Sequence, residues 1–265
     1  MEFLKITVLN DNRPGYPFLA EHGLSWLLEV DGEQILFDAG PSDVFLRNAV
    51  RMGLSLKGVD TVVLSHGHYD HGNGLVWLDR DPPRRLVCHP EAFEGKFRRG
   101  TMSWLGLPLT REEAAQRFRL ALSRKPVQLT EHLYFLGEVP RVTPFESKRT
   151  AFVRRDGSDD WMSDDSGVAV VTPQGLVVIT GCGHAGICNT VLHAREVTGI
   201  HEVRAVMGGF HLKEDDEVTR ATVAWLAEQG VRQAWPSHCT ELPALSRFHE
   251  HFGNVFIRTG DVIRM

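Results

Sequence analysis

The 265-residue sequence predicts an α/β fold in which two mixed β-sheets pack together with helices outside. Three observations carry this reading. Apolar runs of strand length recur along the chain, hairpin signals open each half, and in both halves strands then alternate with helical segments. With 42% hydrophobic and 24% charged residues, the chain has the apolar mass of a compact core, and residues 1–265 read as one domain. The 25 glycines and 13 prolines are too few for a low-complexity or collagen-like chain.

In the first half, residues 6–9 are a short β-branched run. Residues 25–30 and 34–37 flank Asp31-Gly32, a hairpin turn signal. A helix follows from Ser42 as N-cap through Phe45 and Ala49 to a stop at Gly53. Residues 59–64 are too short an apolar run for a helix and suit a strand buried on both faces, followed by a loop and a helix from Gly74. Residues 92–125 read as an insertion or lid with a helical stretch at 111–122, and 141–165 as a long loop or irregular hairpin. In the second half, 167–171 and 176–180 form a hairpin around Pro173-Gln174-Gly175. Helices are expected at 189–197, 215–229 and 242–252, and strands at 203–207, 231–235 and 255–257.

The net charge of −5 argues against chain-wide affinity for nucleic acid or an anionic membrane. Four scattered cysteines form neither a disulfide framework nor a finger-like spacing. The amino terminus lacks the apolar core of a signal peptide, and no apolar run is long enough to span a membrane. The expected setting is the cytoplasm and the expected partner a small anionic substrate. Arg98, Arg99, Lys148, Arg149, Arg154 and Arg155 lie in the two irregular segments and either hold that substrate or are solvated surface.

The compositional oddity is histidine, 13 in all, three of them within Ser65-His66-Gly67-His68-Tyr69-Asp70-His71-Gly72-Asn73-Gly74. An i, i+2 pair leaving a strand can point both imidazoles one way, and the next turn can bring Asp70 and His71 into the same space. Imidazole nitrogen with carboxylate oxygen suits Zn²⁺ and similar divalent ions. His184 follows the run 176–180 and is read as a further ligand, with Gly181, Gly183 and Gly186 permitting close backbone approach. His238 follows 231–235 in the same way. His211 is expected to contact substrate or support a ligand, His22 and Asn10 to reach the pocket, and Asp38 to orient ligands by hydrogen bonds. His89, His132, His193, His201, His249 and His251 read as surface or packing residues, and Cys188 and Cys239 as small buried ones.

The motif H-x-H-x-D-H after a buried strand resembles the metallo-β-lactamase superfamily. The segments 21–25, 36–40, 64–75, 181–186, 208–212 and 238–240 resemble its branch that contains 7,8-dihydropterin-6-methyl-4-(β-D-ribofuranosyl)aminobenzene-5′-phosphate synthase. This resemblance implies a four-layer αββα sandwich, with a histidine at the position of His238 binding the second of two metals. It also exposes two departures. Asp164 and Asp165 stand where lactamase-like members carry a histidine, and Cys182 stands where they carry a bridging aspartate. Asp164 or Asp165 replaces the histidine, or is an ordinary loop carboxylate, with Asp165 assigned to substrate; His184 or Cys182 replaces the bridge.

The expected activity is therefore that of a metal-dependent hydrolase with one or two divalent ions, Zn before Mn or Fe. It cleaves an ester or phosphoester with a metal-activated water, with Asp70 as ligand and proton acceptor. The alternatives are a transferase like the pterin synthase, in which an organic group displaces pyrophosphate, a low-turnover ligand sensor, and a nuclease.

Overall fold

The computed structural model describes residues 3–253 and 256–265. The first half comprises β1 (Leu4–Asn10), β2 (Ser25–Val30), β3 (Glu33–Phe37), α1 (Val44–Arg51), β4 (Thr61–Val63), α2 (Tyr69–Gly72), β5 (Arg85–Cys88), β6 (Phe97–Arg98), α3 (Arg111–Ala115) and β7 (Arg119–Leu122). Then follow β8 (Val127–Gln128), β9 (Leu133–Phe135), β10 (Phe152–Val153), β11 (Gly167–Thr172), β12 (Gly175–Thr180), α4 (Ile187–Thr198), β13 (Val203–Gly209), α5 (Glu217–Glu228), β14 (Gln233–Ser237), α6 (Leu242–Phe252) and β15 (Val262–Arg264).

Seven strands form one sheet in the order β15-β1-β2-β3-β4-β5-β7, and six form the other in the order β14-β13-β12-β11-β9-β8. Each sheet is mixed. Hairpins make the antiparallel pairs β1–β2–β3 and β11–β12, whereas β3–β4–β5–β7 and β12–β13–β14 run parallel. Parallel neighbours need crossovers, which here carry α1, α4 and α5.

Side-chain alternation separates the layers. On β1 and β2, Ile6, Val8, Trp26 and Leu28 meet Val168, Val170, Val177, Ile179 and Met207 of the opposite sheet, and all are buried. The other face of the first sheet, with Leu27, Leu36, Val62 and Leu86, is covered by Phe45 and Ala49 of α1. Val178, Val206 and Ala234 of the second sheet are covered by Val191 of α4, Leu226 of α5 and Phe248 of α6. The expected αββα sandwich is the observed fold. No helix among the described residues is long and apolar enough to cross a membrane.

Two elements differ from expectation. The helical stretch at 111–122 stops at Ala115 despite the Thr110–Glu113 capping box. Residues 119–122 instead pair in parallel with Arg85–Cys88 as an edge strand, and Phe118 turns into the core, so tertiary pairing overrides a helical period. The helix expected from Gly74 is a 3₁₀ turn, Asn73–Trp77, preceded by the single turn of α2. The strand expected at 255–257 begins outside the described residues; the last strand is β15. Residues 92–125 contribute β7 to the first sheet, while β6 pairs with β10 in a two-stranded ribbon.

The loop after β3 is locked to the histidine motif. Ala39 N–H donates to His71 O (2.8 Å) and Gly74 N–H to Gly40 O (2.8 Å). A Cβ on Gly74 would lie 1.9 Å from Ala39 O, closer than any side chain can come. Gly74→Ala is expected to cost about 1–3 kcal/mol, read as a lower urea midpoint with an unchanged slope.

Candidate metal centre

The site forms where the strands of both sheets end at their carboxyl termini, the place in open α/β sheets where ligands collect. Asp38 follows β3, the histidine motif follows β4, Cys182 and His184 follow β12, His211 follows β13, and His238 follows β14. Five overlapping groups of ligand atoms result among the described residues, each with its members within 4.8 Å of one another; two that share no member are His66, His68 and His184, and Asp70, His71 and His238, and another joins Cys182, His184 and His211. Cys182 joins a fourth group with His66 and His71, and so stands between the first two.

In the first group, His66 Nε2 lies 2.9 Å from His68 Nδ1, and the His184 ring is edge-on to both. His66 Nδ1 is 2.9 Å from Ser65 Oγ, which leaves Nε2 facing the group. In the second, His71 Nε2 is 3.0 Å from His238 Nε2 and 3.2 Å from Cys182 Sγ, while Asp70 Oδ2 is 3.5 Å from His238 Nε2. His71 Nδ1 donates to Asp38 Oδ2 (2.7 Å), and Asp38 also accepts from Ser65 N–H and Ser65 O–H, both at 2.7 Å. One buried carboxylate thus orients His71 directly and His66 through Ser65.

Burial first, and the neighbouring imidazoles second, push the basicity of His66 and His184 well below the ordinary histidine range. Burial does the same to His68. Burial opposes a charge on His71 too, but the Asp38 and Asp70 carboxylates outweigh it and push the pKa up to about 9. Burial likewise opposes ionisation of Asp70, yet His71, His22 and His238 hold its carboxyl well below the usual range. Neutral imidazoles, the state favoured at His66, His68 and His184, are what a divalent cation requires of its ligands, and a cation at the second group would have to displace the proton that Asp38 and Asp70 favour on His71. Moreover, His68 Nε2 and His184 Nε2 are buried without a hydrogen-bond partner, an expensive arrangement in a site built only of protein. Imidazole, carboxylate and thiol together fit Zn²⁺ or a similar ion.

The two aspartates at the missing-histidine position divide the work of holding the loops. Asp164 Oδ2 accepts from Gly67 N–H, between the paired histidines, at 2.7 Å, and Oδ1 accepts from Lys96 Nζ at 2.8 Å. Asp165 Oδ2 accepts from Ala185 N–H, beside His184, at 2.8 Å. Neither aspartate belongs to a ligand group among the described residues. The substrate role read for Asp165 is corrected by its burial, since it lines neither cavity described below. His184, read from the sequence as a further ligand or as the bridge, groups with His66 and His68.

A cavity of about 550 Å³ opens beside His184 and His211, walled by Phe145, Phe152, Trp161 and Phe210 and flanked by Lys148 and Arg149. A smaller one of about 130 Å³ is lined by His22, His68, Asp70, Arg98, Cys182, His184, His211, Lys213 and Cys239. His211 borders both, its ring 4.4 Å from that of His184, and His22 Nε2 stands 3.2 Å from Asp70 Oδ2 at the exposed rim. Of the other expected cations, Arg99 pairs with Asp159 and Arg154 with Glu91, while Arg155 lies over the Phe97 ring. Asn10 holds the backbone of Glu21 and does not line either cavity.

Sequence reasoning missed Asn12, Asp11, Lys96 and Cys239. Asn12 Oδ1 accepts from His238 Nδ1 (2.9 Å), and its Nδ2 donates to His238 O (3.1 Å); Asp11 Oδ1 accepts from His238 N–H (3.3 Å). Their one sequence signal is position, polar residues directly after β1. Cys239 is not an inert core residue, because it joins Cys182 and His238 in a further group of ligand atoms.

Fold and site together define an αββα protein with a histidine-rich candidate metal site at its strand ends. Residues 20–195 match the metallo-beta-lactamase superfamily, and the chain belongs to it. It is 32% identical, over 98% of its length and 96% of the relative, to 7,8-dihydropterin-6-methyl-4-(beta-D-ribofuranosyl)-aminobenzene-5'-phosphate synthase of Methanocaldococcus jannaschii. An uncharacterized protein of the same organism is 30% identical over 97% of this chain and 99% of its own. Among solved structures, Tm1679, described as a metal-dependent hydrolase of the beta-lactamase superfamily, superposes with a TM-score of 0.87 at 31% identity over 99% of both chains. A diphosphatase of the PhnP family shares the fold at TM-score 0.58 and 15% identity, covering 99% of this chain and 97% of its own.

Asp38→Asn keeps the shape but replaces an ionic acceptor by a neutral amide. Metal affinity, measured by chelator competition, is expected to fall about 10–100-fold. Lys96→Met leaves Asp164 buried beside Asp160 without its cation, and should cost about 3–5 kcal/mol in denaturant unfolding.

Proposed function

We propose that the protein is a metal-dependent hydrolase that cleaves an ester or phosphoester of a small anionic molecule. The observation that carries this is the pair of adjacent ligand groups, His66/His68/His184 and Asp70/His71/His238, beside a cavity flanked by Lys148 and Arg149. A divalent ion, when bound by these residues, supplies Lewis acidity toward the scissile group and makes water acidic enough to attack near neutral pH.

The chain's own residues do the rest. Lys148 and Arg149 hold the anionic group, with Arg98 and Lys213 at the smaller opening. Phe145, Phe152, Trp161 and Phe210 pack on the organic part and exclude water from the cavity. Asp70, anionic in this setting, accepts the proton of the attacking water, and the half-exposed His22 at 3.2 Å passes it to solvent. His211, between the two cavities, contacts the substrate where its anionic and organic parts join.

A second reading has the same residues serve a transferase, in which an organic nucleophile takes the place of water and displaces pyrophosphate. The aromatic walls of the large cavity, able to hold a planar acceptor, favour it, as does the likeness to the methanogen synthase.

Protein purified without chelator should carry about one to two equivalents of Zn, Mn or Fe, and a folded, active, metal-free protein would overturn the proposal. His68→Ala is expected to lose both metal and turnover to background. A panel of phosphodiesters, lactones, thioesters and a pterin pyrophosphate with an arylamine separates the readings. Hydrolysis without acceptor supports the hydrolase, whereas pyrophosphate released only with the arylamine present supports the transferase.

A further inference from the structure

Cys182 and Cys239 lie two residues beyond the ends of β12 and β14, strands separated by β13. Strands two places apart in a sheet are roughly 10 Å apart, too far for their side chains to join. Here the chain closes the gap across the end of β13. Gly209 is the residue between them, and a Cβ there would lie 2.7 Å from Cys239 Sγ, 3.0 Å from Cys182 Cα and 2.3 Å from Gly181 O. Without that side chain, Cys239 Sγ comes within 3.5 Å of Cys182 O, and the two sulfurs within 4.8 Å of each other. A disulfide needs sulfurs about 2.05 Å apart, so forming one here requires the two side chains to rotate toward each other. Cys182 and Cys239 both line the smaller cavity, while Cys88, at the end of β5, and Cys188, on α4, are buried in the hydrophobic clusters between sheet and helices.

We propose that Cys182 and Cys239 are a peroxide-sensitive thiol pair whose disulfide withdraws Cys182 from the metal centre. Cys239, half-buried where Cys182 is buried, meets the oxidant first. Its thiolate attacks a hydroperoxide oxygen and the O–O bond breaks, giving a sulfenic acid and, with one proton, water or an alcohol. The Cys182 thiol then displaces the sulfenic hydroxyl as a second water, forming the S–S bond. Two thiols are oxidised and one peroxide reduced. Cys182 Sγ, 3.2 Å from His71 Nε2 and grouped with His66, is thereby lost as a donor. The cross-link does not depend on the metal reading; its effect on metal does.

The test treats reduced, metal-free, full-length protein with equimolar hydrogen peroxide. Peptide mass mapping should show a 182–239 cross-link lighter by two hydrogens. Zinc affinity, read against a chromophoric chelator, should fall about tenfold or more and return with dithiothreitol. Cys239→Ser should keep its own untreated affinity through the same treatment, and Cys188→Ser should respond like the wild type. Sulfinic acid on Cys239 with no cross-link, a cross-link without change in zinc affinity, or equal zinc loss in Cys239→Ser would each overturn the proposal. Failure of the reduced wild type to bind zinc would overturn the metal reading and the switch with it, while mass still scores the cross-link.

Discussion

The contact on which the centre depends is the buried carboxylate of Asp38. It has no solvent exposure, and an unpartnered anion there would be prohibitive. Three donors at 2.7 Å remove the problem: the backbone and hydroxyl of Ser65 and the ring of His71. In satisfying itself, the carboxylate fixes the end of β3 to the end of β4 and turns the His71 ring inward. Glycine is required nearby for the same reason, since a Cβ on Gly181 would strike Ser65 Oγ at 2.0 Å. The second sheet can approach this knot only with its side chain absent.

The second half answers with a different device. Asp164 reaches into the histidine loop, Asp165 into the loop of His184, and Ser166 N–H donates to Ser65 O at 3.0 Å. Asp164 and Ser166 therefore stitch the two sheets together at the site, while Asp165 between them ties the start of β11 to the loop after β12. Lys96, 1% exposed, neutralises the inner carboxylate, and burial costs it less than the Asp164 and Asp160 charges return. The ligand geometry is held by charge pairs taken out of water, where an error in spacing is punished more than at a surface.

Local patterns were legible in the sequence, and long-range pairings were not. H-x-H-x-D-H is contained in six residues, and strand-end placement was enough to select His184 and His238 from the other histidines. Asn12 contacts His238 across 226 positions and Lys96 contacts Asp164 across 68, so no spacing rule points to either. Residues 111–122 satisfied a helical period, yet β7 forms because the open edge of β5 has unmet backbone groups. Asp164 and Asp165 looked like substitutes for a ligand because composition shows which groups are present but not what they accept from.

The six histidine and aspartate side chains of the two candidate ligand groups divide between loops of two sheets, four from one segment and two from strand ends more than a hundred residues later. Opening the sandwich therefore disperses these side chains, and a cation held by either group in the native state would meet at most one short cluster in the open chain. By mass action, such a cation holds the closed form in proportion to its free concentration. On the proposed metal reading, the lifetime of the protein in a cell, set by how often proteases find it open, would follow the supply of metal.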